Sequence, residues 1–237
     1  MSIRAVVFDW GGTLTPWHDI DLVSQWYAYA EVYDAEHARA LAHRFAEAEM
    51  RRWQVQRDSE GAQPAGALDQ IFLDEGIDIR GAKHLRALGS YLDFWDPHTC
   101  ADPQARPLFT DLRRLGYQVG VLSNTMWPRS HHREVFERDN LFDLIDAAFY
   151  TSEMPVAKPH VDAFLTVLDH LGVAPGESVF VGDRIWDDIA GASRAGMRTI
   201  WLPHSTVPED EIPDSSARPD AVASTLADVL AIVESWR

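Results

Sequence analysis

Ala5-Val6-Val7-Phe8-Asp9-Trp10-Gly11-Gly12-Thr13-Leu14-Thr15 carries the clearest structural signal in the chain. Its first four residues are apolar and two are β-branched, the composition of a short buried strand. One carboxylate, Asp9, ends the run, and two glycines and a threonine follow at once. A lone acid at the C-terminal tip of a buried strand stands where open α/β sheets put their ligands. Glycine there lets the main chain approach a ligand closely and take φ > 0 without steric cost. Asp followed by Gly also marks an ordinary strand-to-turn exit, so the segment acquires chemical meaning only through partners elsewhere in the chain.

Downstream, residues 19–58 place apolar side chains at helical spacing: Leu22, Trp26, Tyr29 and Tyr33, then Leu41, Phe45, Ala48 and Trp53. The run Ser59-Glu60-Gly61-Ala62-Gln63-Pro64 interrupts that pattern, and further helices are expected near 65–76 and 80–95. Beyond residue 100 the pattern alternates. Helices are expected at 103–115, 130–138, 160–171, 187–195 and 223–235, with strands at 118–123, 147–150, 178–182 and 199–202. Short apolar strands separated by helices predict an α/β fold, a doubly wound parallel sheet covered on both faces. The first strand is cut off from the others by an all-helical block, so a helical insertion after it is the economical reading. No internal repeat or low-complexity tract is evident, and the acidic, proline-bearing stretch 208–214 is expected to be an exposed loop.

The 237 residues suffice for one large domain or a core with a smaller insertion, and 46% apolar with 24% charged residues is ordinary for a globular protein. No apolar run approaches the roughly 18 residues of a membrane span. Asp9 interrupts the apolar start, so no signal peptide is expected. Cys100 is the one cysteine, which excludes an internal disulfide and a cysteine metal cluster and suits a reducing cytoplasm. The net charge of -16 argues against a nucleic-acid partner, since phosphate backbones are held by surplus Lys and Arg. Lys83 and Lys158 are the only lysines. The nine tryptophans serve packing, or some of them line an apolar pocket.

Three later segments can partner Asp9. Val119-Gly120-Val121-Leu122-Ser123-Asn124-Thr125 ends a strand in small polar groups that can bind phosphate oxygens or cap a helix. Ala157-Lys158-Pro159-His160 places a compact cation just before a helix. Val179-Phe180-Val181-Gly182-Asp183-Arg184-Ile185-Trp186-Asp187-Asp188 delivers Gly-Asp at a strand tip and opens the next helix with two aspartates. Asp183 and Asp188 can thus face Asp9, and converging carboxylates without histidine or cysteine suit a hard cation such as Mg2+. One of Asp187 and Asp188 also serves simply as a favourable charge at a helix N-terminus.

In this order and at these separations the four segments resemble the haloacid dehalogenase (HAD) superfamily of aspartate-nucleophile hydrolases. The family's Asp-x-Asp-Gly-Thr motif falls on Asp9-Trp10-Gly11-Gly12-Thr13, its strand-end Ser or Thr on Ser123, its lysine before proline on Lys158, and its Gly-Asp with a later aspartate on Asp183 and Asp188. Phe142-Asp143, Ser152-Glu153 and the glycine-alanine pattern around 191–197 also match the family's usual wording. The resemblance implies a core of residues 1–15 and 97–237 with Rossmann-like topology, and a small helical cap of residues 16–96. It implies Asp9 as nucleophile, Ser123 and Lys158 as the other catalytic groups, and Gly12, Thr13 and Asn124 in contact with substrate. It further implies Mg2+ held by Asp9, the Gly11 carbonyl, Asp183 and Asp188, and a small phosphorylated molecule as substrate.

One position departs from the family's pattern. Gly11 stands where most family phosphatases carry the aspartate that protonates the leaving group, a role that typically contributes about 10² to 10⁴-fold in rate. His18 or Asp19 could supply the proton instead, although His18 equally reads as a plain surface histidine. The departure keeps two alternatives in view: metal-free haloacid dehalogenation, and a non-catalytic phosphate- or partner-binding protein on the same fold. The substrate and the oligomeric state are not legible in the sequence.

Overall fold

The computed structural model describes residues 2–204 and 216–237; the loop expected at 208–214 lies outside them. Strand β1 (Ala5–Phe8) is followed by four helices, α1 (Leu22–Tyr33), α2 (Ala38–Asp58), α3 (Leu68–Asp74) and α4 (Ala82–Trp95). The alternating part then runs α5 (Ala105–Arg114), β2 (Gln118–Ser123), α6 (Arg129–Arg138), β3 (Ala147–Tyr150) and α7 (Val161–Leu171). It finishes with β4 (Ser178–Gly182), α8 (Gly191–Arg194), β5 (Arg198–Trp201), β6 (Ala221–Val222) and α9 (Leu226–Ser235).

All six strands are parallel, in the spatial order β3-β2-β1-β4-β5-β6. From β1 the chain builds outward through β2 and β3, then returns to the other side of β1 for β4, β5 and β6. That reversal leaves a crevice beyond the tips of β1 and β4, the place where such sheets bind ligands. Side chains of β1 alternate between the two faces. Val6 and Phe8 join Phe109 of α5 and Val229 of α9, whereas Ala5 and Val7 join Phe164 and Val167 of α7. Each such fully buried aliphatic or aromatic side chain contributes about 1.5–3 kcal/mol, which anchors the strand that ends in Asp9.

The four inserted helices have an aromatic core of their own. Trp26 lies 4.9 Å from both Phe45 and Tyr91, and Tyr29 stacks on Phe72 at 4.7 Å. Trp26 is therefore packing, as is Trp10, whose ring meets Trp127 and His132 at 5.8 and 4.7 Å. Three details differ from the sequence expectation. Helical residues 19–58 divide at a turn where the Asp34 N–H bonds Ala30 and the His37 N–H bonds Asp34. The last helix begins at Leu226 rather than 223, because Asp228 accepts the N–H of Thr225 at 2.9 Å in a capping box. The residues just ahead of it form β6, an edge strand of two residues that is too short to leave a periodic signal.

Candidate active site

The ladder between β1 and β4 extends one residue past β1, with the Asp9 N–H on the Val181 carbonyl at 2.9 Å. The chain then folds tightly, and the N–H groups of Thr13, Leu14 and Thr15 converge on the Trp10 carbonyl at 3.3, 2.8 and 3.0 Å. Gly12 has φ +83°, and a Cβ there would lie 2.6 Å from Asp183 Oδ2, so only glycine lets the loop come this close. The Thr13 hydroxyl donates to Asp183 Oδ1 at 3.1 Å. Across the crevice, Gly182 gives the same clearance to Asp188, whose carboxyl would be 2.4 Å from an added Cβ.

The helix expected at 187–195 opens instead as a π-helical turn, Ile185–Ala190, before α8. Its wide turn lets the N–H of Asp188 and of Ile189 both reach the Arg184 carbonyl, and Asp188 Oδ2 accepts the Arg184 N–H at 3.0 Å. Turns of this kind are common at functional sites. Here the turn leaves Asp188 Oδ1 aimed inward, toward Lys158. The Lys158 ammonium donates to Asp9 Oδ1 and to Asp188 Oδ1, each at 2.6 Å, and all three residues are buried. Asp9, Asp183 and Asp188 each bring a carboxylate oxygen within 4.8 Å of the others.

Ser123 ends β2 with its side chain buried. It caps no helix, since α6 starts six residues later behind Pro128. Asn124 turns out to serve the lysine. Its Oδ1 accepts the Lys158 N–H at 3.0 Å and its Nδ2 donates to the Lys158 carbonyl at 2.9 Å. Both ends of the amide, which the sequence suggested for substrate, hold the main chain of Lys158. His18 and Asp19 are exposed. The His18 ring packs on His98 at 4.8 Å, where the two connections between the sheet and the inserted helices run side by side. Neither residue hydrogen-bonds to Asp9.

Burial pushes the Asp9 carboxyl up to about 6, with Asp183 adding repulsion and Lys158 pulling it down. Burial also raises Asp188, against the pull of Lys158 and with repulsion from Asp9. Burial by itself would discharge Lys158, yet Asp188 and Asp9 outweigh it and hold the ammonium well above its usual range. Lys158 bonds two of the three buried carboxylates and Arg184 is a second cation that acts on them, which still leaves an excess of negative charge in a low-dielectric crevice. A hard divalent cation with oxygen ligands would relieve it, and the all-carboxylate donor set matches what Mg2+ takes. The residues present fit such an ion.

The description of haloacid dehalogenase-like hydrolases matches residues 3–196. The chain belongs to this family. A glyceraldehyde 3-phosphate phosphatase of Methanopyrus kandleri is 25% identical over 224 residues, 90% of this chain and 91% of that protein. A phosphoserine phosphatase of Thermus thermophilus is 31% identical over 127 residues, 54% of this chain and 49% of that protein. Among solved structures, a HAD phosphatase from Thermococcus onnurineus superimposes with a TM-score of 0.69 at 23% identity, covering 98% of both chains. A 2-haloacid dehalogenase from Pseudomonas syringae gives 0.67 at 24% identity, covering 99% of this chain and 100% of that one. Phosphatases and dehalogenases thus share this fold, and the site has to separate them.

Proposed function

We propose that this HAD-like hydrolase cleaves a small phosphate ester, with Mg2+, through a covalent aspartyl-phosphate on Asp9. The observation that carries this reading is the buried cluster of Asp9, Asp183, Asp188 and Lys158 at the tips of β1 and β4. Asp9, Asp183, Asp188 and the Gly11 carbonyl would hold Mg2+, which supplies charge neutralisation at the transferring phosphoryl group. In this reading the Asp9 carboxylate attacks phosphorus, and the bond from phosphorus to the ester oxygen breaks with its electron pair on that oxygen. Lys158 has three N–H donors and spends two on Asp9 and Asp188, so one is left for a phosphoryl oxygen. The Ser123 hydroxyl provides a second donor, in the preorganised manner that dominates phosphoryl transfer. Water then attacks phosphorus, Asp9 leaves as carboxylate, and inorganic phosphate is released. Residues 16–96 act as the cap over this site, on a core of residues 1–15 and 97–237.

Dehalogenation is the competing use of the fold. Attack on a carbon–halogen bond needs no cation, so three clustered carboxylates weigh against it. The test is phosphate release from p-nitrophenyl phosphate by wild type and by Asp9→Asn, each with Mg2+ and with excess EDTA. Wild type with Mg2+ is expected to turn over, and the other three conditions to fall to background. Halide release from 2-chloropropionate in EDTA, with no phosphatase activity, would overturn the proposal in favour of a dehalogenase.

A further inference from the structure

Asp183 opens the loop after β4, and the next strand holds that loop from outside the cluster. β5 lies beside β4 with Trp201 in register with Gly182, and the Leu202 N–H carries the ladder on to the Gly182 carbonyl at 2.9 Å. Successive side chains of a strand alternate between faces. Ile200 enters the core shared with α9, so Trp201 stands on the other face, half-buried at the tip of the sheet. From there its indole Nε1–H reaches the neighbouring loop and donates to the Asp183 carbonyl at 2.8 Å. The Trp201 carbonyl accepts the Ala223 N–H at 3.0 Å, which ties the residue to the end of β6. The Asp183 carboxylate is held separately, by the Thr13 hydroxyl at 3.1 Å and against the main chain of Gly12.

The same peptide unit has a second partner. Its N–H belongs to Arg184 and donates to Asp188 Oδ2 at 3.0 Å. The peptide between Asp183 and Arg184 is therefore held at both ends, by Trp201 on the carbonyl and by Asp188 on the N–H. It also joins two of the three clustered carboxylates. A donor on a carbonyl polarises the peptide and strengthens the bond that its N–H gives, so hydrogen bonds in such a chain support one another. With Oδ2 engaged in this way, Asp188 Oδ1 accepts from the Lys158 ammonium at 2.6 Å, and Lys158 reaches Asp9 at the same distance. One chain of hydrogen bonds thus runs from Trp201 through the main chain to Asp188, Lys158 and Asp9. An indole N–H is a donor only and cannot itself hold a cation, so the influence of Trp201 runs through the peptide.

We propose that Trp201 is a positioning residue of the divalent-cation site, fixing through one peptide unit where Asp183 and Asp188 aim their carboxylates. The inference rests on the reading of the cluster as a Mg2+ site and adds to it a residue from β5. In the sequence Trp201 is simply the last apolar residue of that strand. Groups that orient metal ligands without touching the metal typically matter about 10–100-fold in metal affinity.

The test reads Mg2+ binding by calorimetry, and independently as the gain in urea-unfolding stability over EDTA, on wild type, Trp201→Phe and Asp183→Asn. Trp201→Phe keeps an aromatic ring and removes the N–H. Asp183→Asn removes a ligand and sets the background of Mg2+ association with an acidic chain. Wild type is expected to bind above that background, and Trp201→Phe about tenfold more weakly, with a smaller Mg2+-dependent gain in stability. A ring that only packs would lower stability in EDTA and in Mg2+ alike. That outcome, or wild-type affinity in a folded Trp201→Phe, overturns the assignment. If Trp201→Phe fails to fold, Trp201→Met takes its place with the same expectation, since it removes the same N–H and fills the space with a flexible chain. Wild type that binds no better than Asp183→Asn overturns the metal reading and this inference together. Mg2+ binding that weakens tenfold in Trp201→Phe, with no ester turned over by wild type, sustains the positioning role while the hydrolase reading falls.

Discussion

Gly11 lacks the carboxylate that family phosphatases use to protonate the leaving group, and its surroundings make the loss testable. An added Cβ at Gly11 meets nothing within 4 Å, and Gly11 is absent from the glycines with positive φ. Trp10, the neighbour whose bulk could have obstructed a new side chain, is turned away onto Trp127 and His132. Gly11→Asp therefore has both the backbone conformation and the space it needs. If a missing acid limits turnover, the variant gains on alkyl phosphates by up to about 10² to 10⁴-fold. It gains little on p-nitrophenyl phosphate, whose leaving group departs without a proton. Steady-state kinetics on both esters, after circular dichroism confirms the fold, decides the point. A folded variant that binds Mg2+ and shows no selective gain would mean that the proton already comes from elsewhere.

Single elements show what was legible in the sequence and what was not. β1, β2 and β4 were readable because each is an apolar run cut off by one polar residue, and their tips bring Asp9, Ser123 and Asp183 to one edge of the sheet. The clamp of Asn124 on Lys158 was not readable, because it joins residues 34 apart through main-chain atoms that have no sequence signature. The π-helical turn was hidden for a related reason: Ile185 to Ala190 has the composition of any helix start, and Lys158 and the Arg184 N–H engage Asp188 only in three dimensions. Gly61 lay in a stretch that read as a plain break between helices, whereas its carbonyl accepts the Ala157 N–H at 2.8 Å and holds the segment after α2 against the Lys158 loop. Gly61→Ala adds a Cβ at φ +80° into the Ala157 carbonyl, so this contact must open. The expected cost is about 1–3 kcal/mol, in the range of overpacked sites, with a KM increase for every ester because the Lys158 loop loses its partner. Urea unfolding and kinetics check this together. Wild-type stability with wild-type KM would show that the Gly61 contact does not hold the loop.

Across the whole molecule, pH acts on stability through a buried histidine, His132, as well as through Asp9 of the cluster. His132 is wholly buried, stacked flat on Tyr150 at 4.2 Å, with Nε2 3.2 Å from the Thr125 hydroxyl and no partner at Nδ1 among the described residues. Burial, with smaller repulsions from His131 and Arg129, pushes its imidazole down to about 3. The folded pKa is depressed, so the unfolded chain takes up a proton near pH 6.5 that the native state refuses. The contribution of this site is complete above pH 6.5 and drains away as pH falls toward 3, by about 1.4 kcal/mol per unit. Asp9 works in the opposite sense. Its folded value of about 6 lies above the unfolded 3.8, so between those values its protonation favours the native state as pH falls. A bare stability profile would blend the two. The difference between wild type and His132→Gln, measured in EDTA, removes the Asp9 contribution common to both. The glutamine keeps an amide N–H for Thr125 and cannot be protonated in this range. Between pH 7 and pH 5 the wild type is expected to lose on the order of 2 kcal/mol more than the variant in urea unfolding. Parallel profiles would mean that His132 accepts its proton in the folded state, and that the stack on Tyr150 leaves room for an imidazolium.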